Sequence, residues 1–241
     1  MADNLNYKTI VIIDKPRGIS SNGAIGKIKN VIRSHLNCGK RDLPKIGHGG
    51  TLDPEATGVL VIGLTRAGTR TLGTHIGADK MYECEVDLLK TSVTGDMEQF
   101  EQMELSESQD SLRRSIPTLE EIEDLIRSDF TGEIEQTPPI YSALKVGGKK
   151  ACDLARAGKD VELKPRKVTL YEVEVISYEF PVLSLRIHCS KGTYIRTVGQ
   201  DIGKSLGLYG TLLSLRRIRS GSHDIADAIA LNDLTFDDLV E

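Results

Sequence analysis

The chain has 241 residues, of which 39% are hydrophobic and 27% charged, a balance that is ordinary for a globular protein. No stretch approaches the ~20 consecutive apolar residues of a membrane span, and the first residues form neither a signal nor a transit peptide, so we expect a cytoplasmic protein. The net charge of −4 hides an uneven distribution, because acids dominate residues 83–135 and bases dominate residues 145–219. This distribution allows either one basic face or a merely mixed surface.

The hydrophobic pattern predicts strands and helices that do not alternate regularly, which indicates the α+β class. Strands are expected at residues 8–14, 59–62, 82–89, 168–178, 183–189 and 212–218. Helices are expected after Ser20, from Thr118 with a capping box, around residues 151–157, over residues 197–206, and once or twice in the acidic tail 224–241. Residues 95–115 are expected to form a polar excursion. We expect one domain over residues 1–241.

The most informative stretch is the glycine-rich segment of residues 47–58, Gly-His-Gly-Gly-Thr-Leu-Asp-Pro-Glu-Ala-Thr-Gly. Its glycines permit backbone conformations and close approaches that side chains would block. Asp53 directly precedes Pro54, which biases Asp53 toward an extended conformation. From the residues alone, Asp53 is either a carboxylate held in a cleft or an Asx-turn aspartate that only shapes the loop. The segment is not a P-loop, because no Lys-Ser or Lys-Thr follows the glycines.

This segment resembles the catalytic motif of the TruB family of pseudouridine synthases, which reads Gly-His-x-Gly-x-Leu-Asp-Pro-x-Ala-Thr-Gly. Further motifs similar to those of the family occur in the family's order between residues 14 and 217, on both sides of this segment. They are Asp14-Lys15-Pro16-x-Gly18-x-Ser20-Ser21, Lys80-x-Tyr82, Pro138-Pro139-x-Tyr141-Ser142-Ala143-Leu144-Lys145 with Gly148-Lys149, Cys189-Ser190-Lys191-Gly192-Thr193-Tyr194-Ile195-Arg196-Thr197, and Leu215-Arg216-Arg217. The resemblance implies a mixed, mainly antiparallel sheet with flanking helices and an RNA-clasping insertion at about residues 132–163.

The implied reaction converts the uridine at position 55, in the T-loop of tRNA, to pseudouridine. The bond between base and ribose breaks, the uracil rotates, and a new bond forms through C5. No atoms or electrons enter or leave, so we expect no cofactor, and the scattered cysteines and histidines predict no metal site. The buried target base must be flipped out of the T-loop. We expect a monomer that binds the T-arm of tRNA without an obligate protein partner.

The resemblance also assigns catalytic roles. Asp53 is implied to act as nucleophile or general base. Arg196 is implied to pair with this carboxylate, which keeps it ionised and aimed. Tyr82 is implied to stack on the target base. Without the motifs, Arg196 would be interpreted as a surface phosphate contact and Tyr82 as a core tyrosine.

Four further residues are implied to bind substrate. His48 supports the loop and contacts the RNA, and Leu215 lines the uracil pocket. Arg70 aligns with a basic residue at the pocket rim, and Lys149 belongs to the basic insertion that contacts phosphates. Without the motifs, the alternative interpretation of His48 is a structural loop histidine, and Leu215 would be interpreted as a core residue.

Many relatives continue with a PUA-like RNA-binding domain, for which residues 224–241 are too short, so we expect none here. Two other functions are alternatives to the enzyme. The first is a folding chaperone that grips tRNA without turning it over, which has no need of the Asp53 carboxylate. The second is an RNA-guided pseudouridylase of a ribonucleoprotein, which depends on the additional domain.

Overall fold

The computed structural model describes residues 6–92, 100–101, 116–142, 144–158 and 163–241. The chain divides into two compact units, the first formed by Met1–Tyr82 and Arg216–Glu241 and the second by Glu83–Leu215. Apart from residues 100–101, the predicted polar excursion at residues 95–115 lies outside the described residues. No helix in the described part of the chain is both long enough and apolar enough to cross a membrane.

The described helices are α1 (Ser21–Leu36), α2 (Thr65–Gly77), α3 (Leu119–Asp129), α4 (Ala151–Arg156) and α5 (Ile195–Ser205). The strands are β1 (Ile10–Lys15), β2 (Ile46–His48), β3 (Thr57–Leu64), β4 (Lys80–Asp87), β5 (Thr91–Ser92), β6 (Phe100–Glu101), β7 (Gly132–Gln136), β8 (Lys145–Val146), β9 (Lys149–Lys150), β10 (Arg166–Glu179), β11 (Val182–Cys189), β12 (Thr211–Ser220), β13 (His223–Asp224) and β14 (Ile229–Ala230). Three short 3₁₀ turns lie at Lys40–Asp42, Ile225–Asp227 and Asp237–Leu239.

In the first unit the strand order is β14-β1-β3-β12. The β1–β3 and β2–β3 pairs are antiparallel, whereas β1–β14 and β3–β12 are parallel. Strand β3 is buried from Gly58 to Leu64, which explains its unbroken apolar sequence. Helix α1 begins where Ser20 caps it by accepting a hydrogen bond from the Gly23 amide, and its apolar residues at helical spacing face the core.

The chain passes from one unit to the other within β4, after Tyr82, and within β12, after Leu215. In the second unit the strand order is β4-β11-β10-β7, and β10 is antiparallel to both of its neighbours. Helix α3 begins with the predicted capping box, in which Thr118 and Glu121 bond to each other's backbone amides. Helix α5 packs closely at Gly203, where a Cβ would lie 1.7 Å from the Tyr209 carbonyl oxygen. Parallel pairs beside mainly antiparallel ones, with helices against them, confirm the predicted α+β class.

The acidic tail departs from the prediction of only one or two short helices. It contains two 3₁₀ turns but also the strands β13 and β14. Strand β14 pairs in parallel with β1, with Ile229 opposite Ile13. The tail is therefore built into the sheet of the first unit, because the unpaired backbone groups of β1 find partners there.

Candidate functional site

The glycine-rich loop of the first unit connects β2 to β3 and is tied down at its start. The Gly49 amide donates to the Val61 carbonyl at 2.8 Å. From β12, Arg217 donates through Nη2 to the Gly50 carbonyl at 3.2 Å and through Nε to the Val59 carbonyl at 2.7 Å. These bonds attach the start of the loop to β3 and β12.

The backbone on both sides of Asp53 is held by neighbouring residues. The Ser21 hydroxyl donates to the Leu52 carbonyl at 3.0 Å and accepts from the Leu52 amide at 2.8 Å. The Pro54 carbonyl accepts from the Gly18 amide at 2.9 Å. Asp53 itself is half-buried between these two anchored residues. Its position is therefore fixed by the start of α1 and by the turn after β1.

A buried lysine lies beneath this loop. Lys15 is fully buried, and its Nζ donates to the carbonyls of Pro16, Ile19 and Pro54 at 2.9, 2.8 and 3.1 Å. Burial lowers the pKa of Lys15 to about 8, although the nearby carboxylates of Glu55 and Asp53 act in the opposite direction. At neutral pH a positive charge therefore lies within electrostatic reach of Asp53, which favours the ionised carboxylate.

Arg217 places a second buried charge under the loop, since the residue is 1% exposed. Its backbone fits against Gly58, where a Cβ would lie 2.2 Å from the Arg217 carbonyl oxygen and where φ is +100°. Only glycine satisfies both conditions. Burial, and next the charge of Arg217, lower the pKa of His48, which favours the neutral imidazole. Its Nδ1 is buried and has no hydrogen-bond partner among the described residues.

Two other predicted site residues of the first unit lie on regular elements. Arg70 is exposed on α2, and Tyr82 is buried on β4. Two residues before Tyr82, the Nζ of Lys80 donates to the carbonyls of His75, Ile76 and Ala78 at the end of α2. These three bonds fix the start of β4 to the end of α2, and thereby the backbone that leads to Tyr82.

The second unit carries the remaining predicted residues. Arg196 lies in the first turn of α5, is 4% exposed, and donates from Nη2 to the Tyr141 carbonyl at 2.8 Å. Leu215 is half-buried on β12. Lys149 lies on β9, in a hairpin with β8 that α4 follows. This hairpin and α4 form the described part of the predicted insertion, after β7.

Sequence reasoning did not assign a role to four residues that build these surroundings. They are Lys15, Ser21, Gln136 and Arg217. Lys15, Ser21 and Arg217 stand inside the quoted motifs, which was the available signal, but nothing in their residue types indicated that they would hold the Asp53 loop. Gln136 carried no signal, since it ends the largely polar segment Gly-Glu-Ile-Glu-Gln. Within the described ranges, no group of three or more His, Cys, Asp or Glu is arranged to hold a metal ion.

Comparisons with known proteins agree on one family. The family model described as "TruB family pseudouridylate synthase (N terminal domain)" matches residues 37–195. The tRNA pseudouridine synthase B of Clostridium kluyveri is 37% identical over 96% of this chain and 74% of its own length. The protein of the same name from Endomicrobium trichonymphae is 39% identical over 95% of this chain and 91% of its own length.

Among solved structures, a chain of a Cbf5-Nop10-Gar1 complex matches 93% of this chain with a TM-score of 0.63 and 29% identity. A chain of an H/ACA RNP bound to a substrate RNA containing 2'-deoxyuridine matches with a TM-score of 0.60 and 28% identity. The present chain spans about half the length of these solved chains, 53% and 51% respectively.

Proposed function

Because this chain belongs to the TruB family of pseudouridylate synthases, we propose that it isomerises the uridine at position 55 in the T-loop of tRNA to pseudouridine. The proposal is supported by two relatives named tRNA pseudouridine synthase B, which align with nearly the whole chain. The observation that carries it is the double anchoring of the backbone around Asp53, through Ser21 on one side and Gly18 with Lys15 on the other.

In this proposal Asp53 is the catalytic carboxylate. A group that attacks or deprotonates a substrate must be held in a defined position, because loss of about 1 Å in placement costs orders of magnitude in rate. The anchoring of Leu52 and Pro54 supplies that rigidity. The positive charge of Lys15 favours the ionised form that nucleophilic or general-base catalysis requires.

Roles for the other residues follow from the family resemblance. Tyr82 and Arg196 are proposed as catalytic partners of Asp53, and His48, Leu215, Arg70 and Lys149 as substrate-binding residues. Because Nδ1 of His48 is buried, the contact with RNA is proposed for its other ring nitrogen, Nε2. We further propose one catalytic domain with an insertion at about residues 132–163, acting as a monomer on the tRNA T-arm in the cytoplasm.

An RNA-guided enzyme is the second candidate, since the two similar solved chains belong to a Cbf5-Nop10-Gar1 complex and to an H/ACA RNP bound to a substrate RNA. The relatives named tRNA pseudouridine synthase B are more similar, at 37% and 39% identity against 29% and 28%. This difference favours the enzyme that acts on tRNA without a guide. Turnover of free tRNA by the purified chain would distinguish the two.

The test is tritium release from an unmodified tRNA transcript labelled at uridine C5. Wild type should release about one tritium per tRNA, from the uridine at position 55. Asp53→Asn keeps the side-chain shape but removes the carboxylate, so release should slow by about 10³-fold or more. Asp233→Asn, at an exposed site in the same unit, should match wild type. Equal release by Asp53→Asn would reject Asp53, and no release by wild type would reject the tRNA reaction.

A further inference from the structure

We propose that Gln136 is a positioning residue that holds the start of helix α5 and thereby aims Arg196, an inference that rests on the proposed role of Arg196 in catalysis. Gln136 is the last residue of β7 and is 1% exposed. Its side chain contacts the backbone of Tyr194, two residues before Arg196. All of these residues belong to the second unit.

The contact between Gln136 and Tyr194 uses both ends of the side-chain amide. The Tyr194 amide donates to Oε1 at 2.8 Å, and Nε2 donates to the Tyr194 carbonyl at 3.0 Å. One side chain thus satisfies both backbone groups of one residue, as a neighbouring β-strand would. Because the group is buried, each bond that is broken leaves an unsatisfied polar atom, which is more costly than losing an exposed bond.

The position held in this way is the N-cap of α5. Tyr194 is extended, with φ −100° and ψ 108°, and its own side chain makes no capping hydrogen bond. Helices that begin without a capping side chain leave amide groups of the first turn without partners. Gln136 holds the N-cap residue itself, because it accepts from the Tyr194 amide and donates to the Tyr194 carbonyl, which also accepts the first helical bond from the Val198 amide. The direction in which α5 leaves Tyr194 therefore depends on β7.

Arg196 is held by the same segment of chain a second time. Its Nη2 donates to the carbonyl of Tyr141, five residues after Gln136. Pro138 and Pro139 lie between the two contacts and restrict the backbone there. The segment from Gln136 to Tyr141 therefore forms hydrogen bonds both with the backbone that leads to Arg196 and with the Arg196 guanidinium itself.

Arg166 completes the arrangement from β10. Its guanidinium lies 5.0 Å from the centre of the Tyr194 ring and donates to the Gly192 carbonyl. A cation over an aromatic face is attractive, and it restrains the Tyr194 side chain while Gln136 restrains the Tyr194 backbone. Arg166 does not replace either bond of Gln136, so the contribution of Gln136 can be tested separately.

The chemistry of glutamine makes two substitutions informative. Gln136→Glu keeps the acceptor for the Tyr194 amide but cannot donate to the Tyr194 carbonyl when ionised. Gln136→Met keeps a similar volume and removes both bonds. Tyr178→Phe is the matched control, because it removes one side-chain bond to a carbonyl, that of Pro117, elsewhere in the second unit.

Single-turnover tritium release and tRNA binding should be measured for each variant, together with thermal unfolding. We expect Gln136→Met to slow the turnover step by about tenfold to a hundredfold, the range associated with misplacement of a catalytic group by about 1 Å. The Kd for tRNA should stay within about twofold of the wild-type value. The substitution is expected to remove an interaction that matters in the transition state and not one that contributes equally to substrate binding. Tyr178→Phe should keep the wild-type rate, and Gln136→Glu should fall between wild type and Gln136→Met.

Two further readouts separate positioning from general stability. In an Arg196→Lys background, Gln136→Met should slow turnover much less than in wild type, because both changes act through one group. Amide exchange at Tyr194 should accelerate in Gln136→Met and not in Tyr178→Phe. Additive losses of rate, a rate equal to wild type, or a loss confined to Kd would overturn the proposal. If wild type itself releases no tritium, the proposed function is wrong. In that case the amide exchange rate at Tyr194 still tests the contact with Gln136, because an equal rate in wild type and Gln136→Met would reject it.

Discussion

At the scale of single residues, the surroundings of Asp53 are made by side chains that bond to backbone rather than to one another. Ser21 bonds to Leu52, Lys15 to Pro54 and Arg217 to Gly50. Side chains that hold carbonyls of a loop fix its shape, because each bond specifies one backbone atom. The loop geometry therefore depends on residues distant in sequence. A pH change that alters the protonation of Lys15 should also affect the loop.

Lys15 gives a pH dependence whose sign can be worked out. Its pKa falls from an ordinary 10.5 to about 8 because of burial. Between these values the unfolded chain binds a proton that the folded chain has released, so the free energy of unfolding rises with pH. Relative to Lys15→Met, wild type should gain up to about 1.4 kcal/mol per pH unit between pH 8 and 10.5, and this gain should disappear as the pH is lowered from 10.5 to about 8.

Denaturant unfolding of wild type and Lys15→Met at several pH values checks this expectation. The quantity of interest is the difference between the two proteins, because tyrosines and cysteines titrate in both. A difference that does not change from pH 7.5 to 10.5 would mean that Lys15 keeps an ordinary pKa. Three carbonyls lose their donor in Lys15→Met, which lowers its stability at every pH. This constant loss does not affect the test, which depends only on how the difference between the two proteins changes with pH.

The motif allowed Asp53 to be predicted as a site residue but not the way in which it is held. A sequence motif shows which reactive side chains lie close together along the chain. The hydrogen bonds between Ser21 and Leu52, in contrast, join residues 31 positions apart. The interaction between Gln136 and Tyr194 spans 58 positions. Such contacts arise from tertiary packing, which has no local signature in the chain.

At the scale of elements, long apolar or well-capped segments were predicted and one glycine-rich helix was not. The strands near residues 8–14, 59–62 and 183–189 are confirmed as β1, β3 and β11, and the helix from Thr118 is confirmed as α3. Helix α2 was missed because Thr65–Gly77 contains glycines and threonines, which are weak helix formers. The structure explains the composition, since a Cβ on Gly68 would lie 2.0 Å from the Thr9 carbonyl oxygen.

The tail was predicted incompletely because its strand β14 exists only through pairing with β1, more than 200 residues earlier. Its apolar residues are not surface residues of short helices. Leu231, Leu234, Phe236 and Leu239 are all buried. The ring of Phe236 stacks on His35 with centroids 4.0 Å apart and meets Tyr7 edge-on at 6.4 Å.

Phe236→Ala should therefore destabilise the protein by about 3–5 kcal/mol, as expected for removing a buried aromatic ring from a packed core. The measurement is the free energy of unfolding by denaturant. Ile76→Ala is the matched control, because Ile76 is 51% exposed on α2 and its truncation should change that energy by no more than about 0.5 kcal/mol. Equal effects of the two substitutions would mean that the tail does not contribute to the core.

At the scale of the whole molecule, a net charge of −4 has to be reconciled with a polyanionic substrate. The acids and bases are separated along the chain, with exposed Lys164, Lys167 and Lys191 in the basic part and exposed Glu120 and Glu123 in the acidic part. Local charge, rather than net charge, determines contact with phosphates. Binding of tRNA should therefore weaken with salt in spite of the overall negative charge.

Lys149 provides the test at this scale. If it contacts a phosphate, Lys149→Gln should weaken tRNA binding and make the slope of log K against log salt shallower by about 1. Lys27→Gln is the control, because Lys27 is exposed on α1 and donates to Asn232. Filter binding from 50 to 300 mM salt gives the slopes, and an unchanged slope for Lys149→Gln would remove this residue from the RNA contacts.

The first and last described residues of the chain lie side by side in the first unit. Tyr7 forms a bridge with Val240, and the amide of Glu241 donates to the carbonyl of Asn6 at 2.9 Å. The two described ends of the chain are thus hydrogen-bonded neighbours. A variant in which residues 6–241 are closed into a ring by a short linker between Glu241 and Asn6 should keep these hydrogen bonds. Such a cyclised protein should resist exopeptidases and unfold at higher temperature, because the ring restricts the unfolded ensemble.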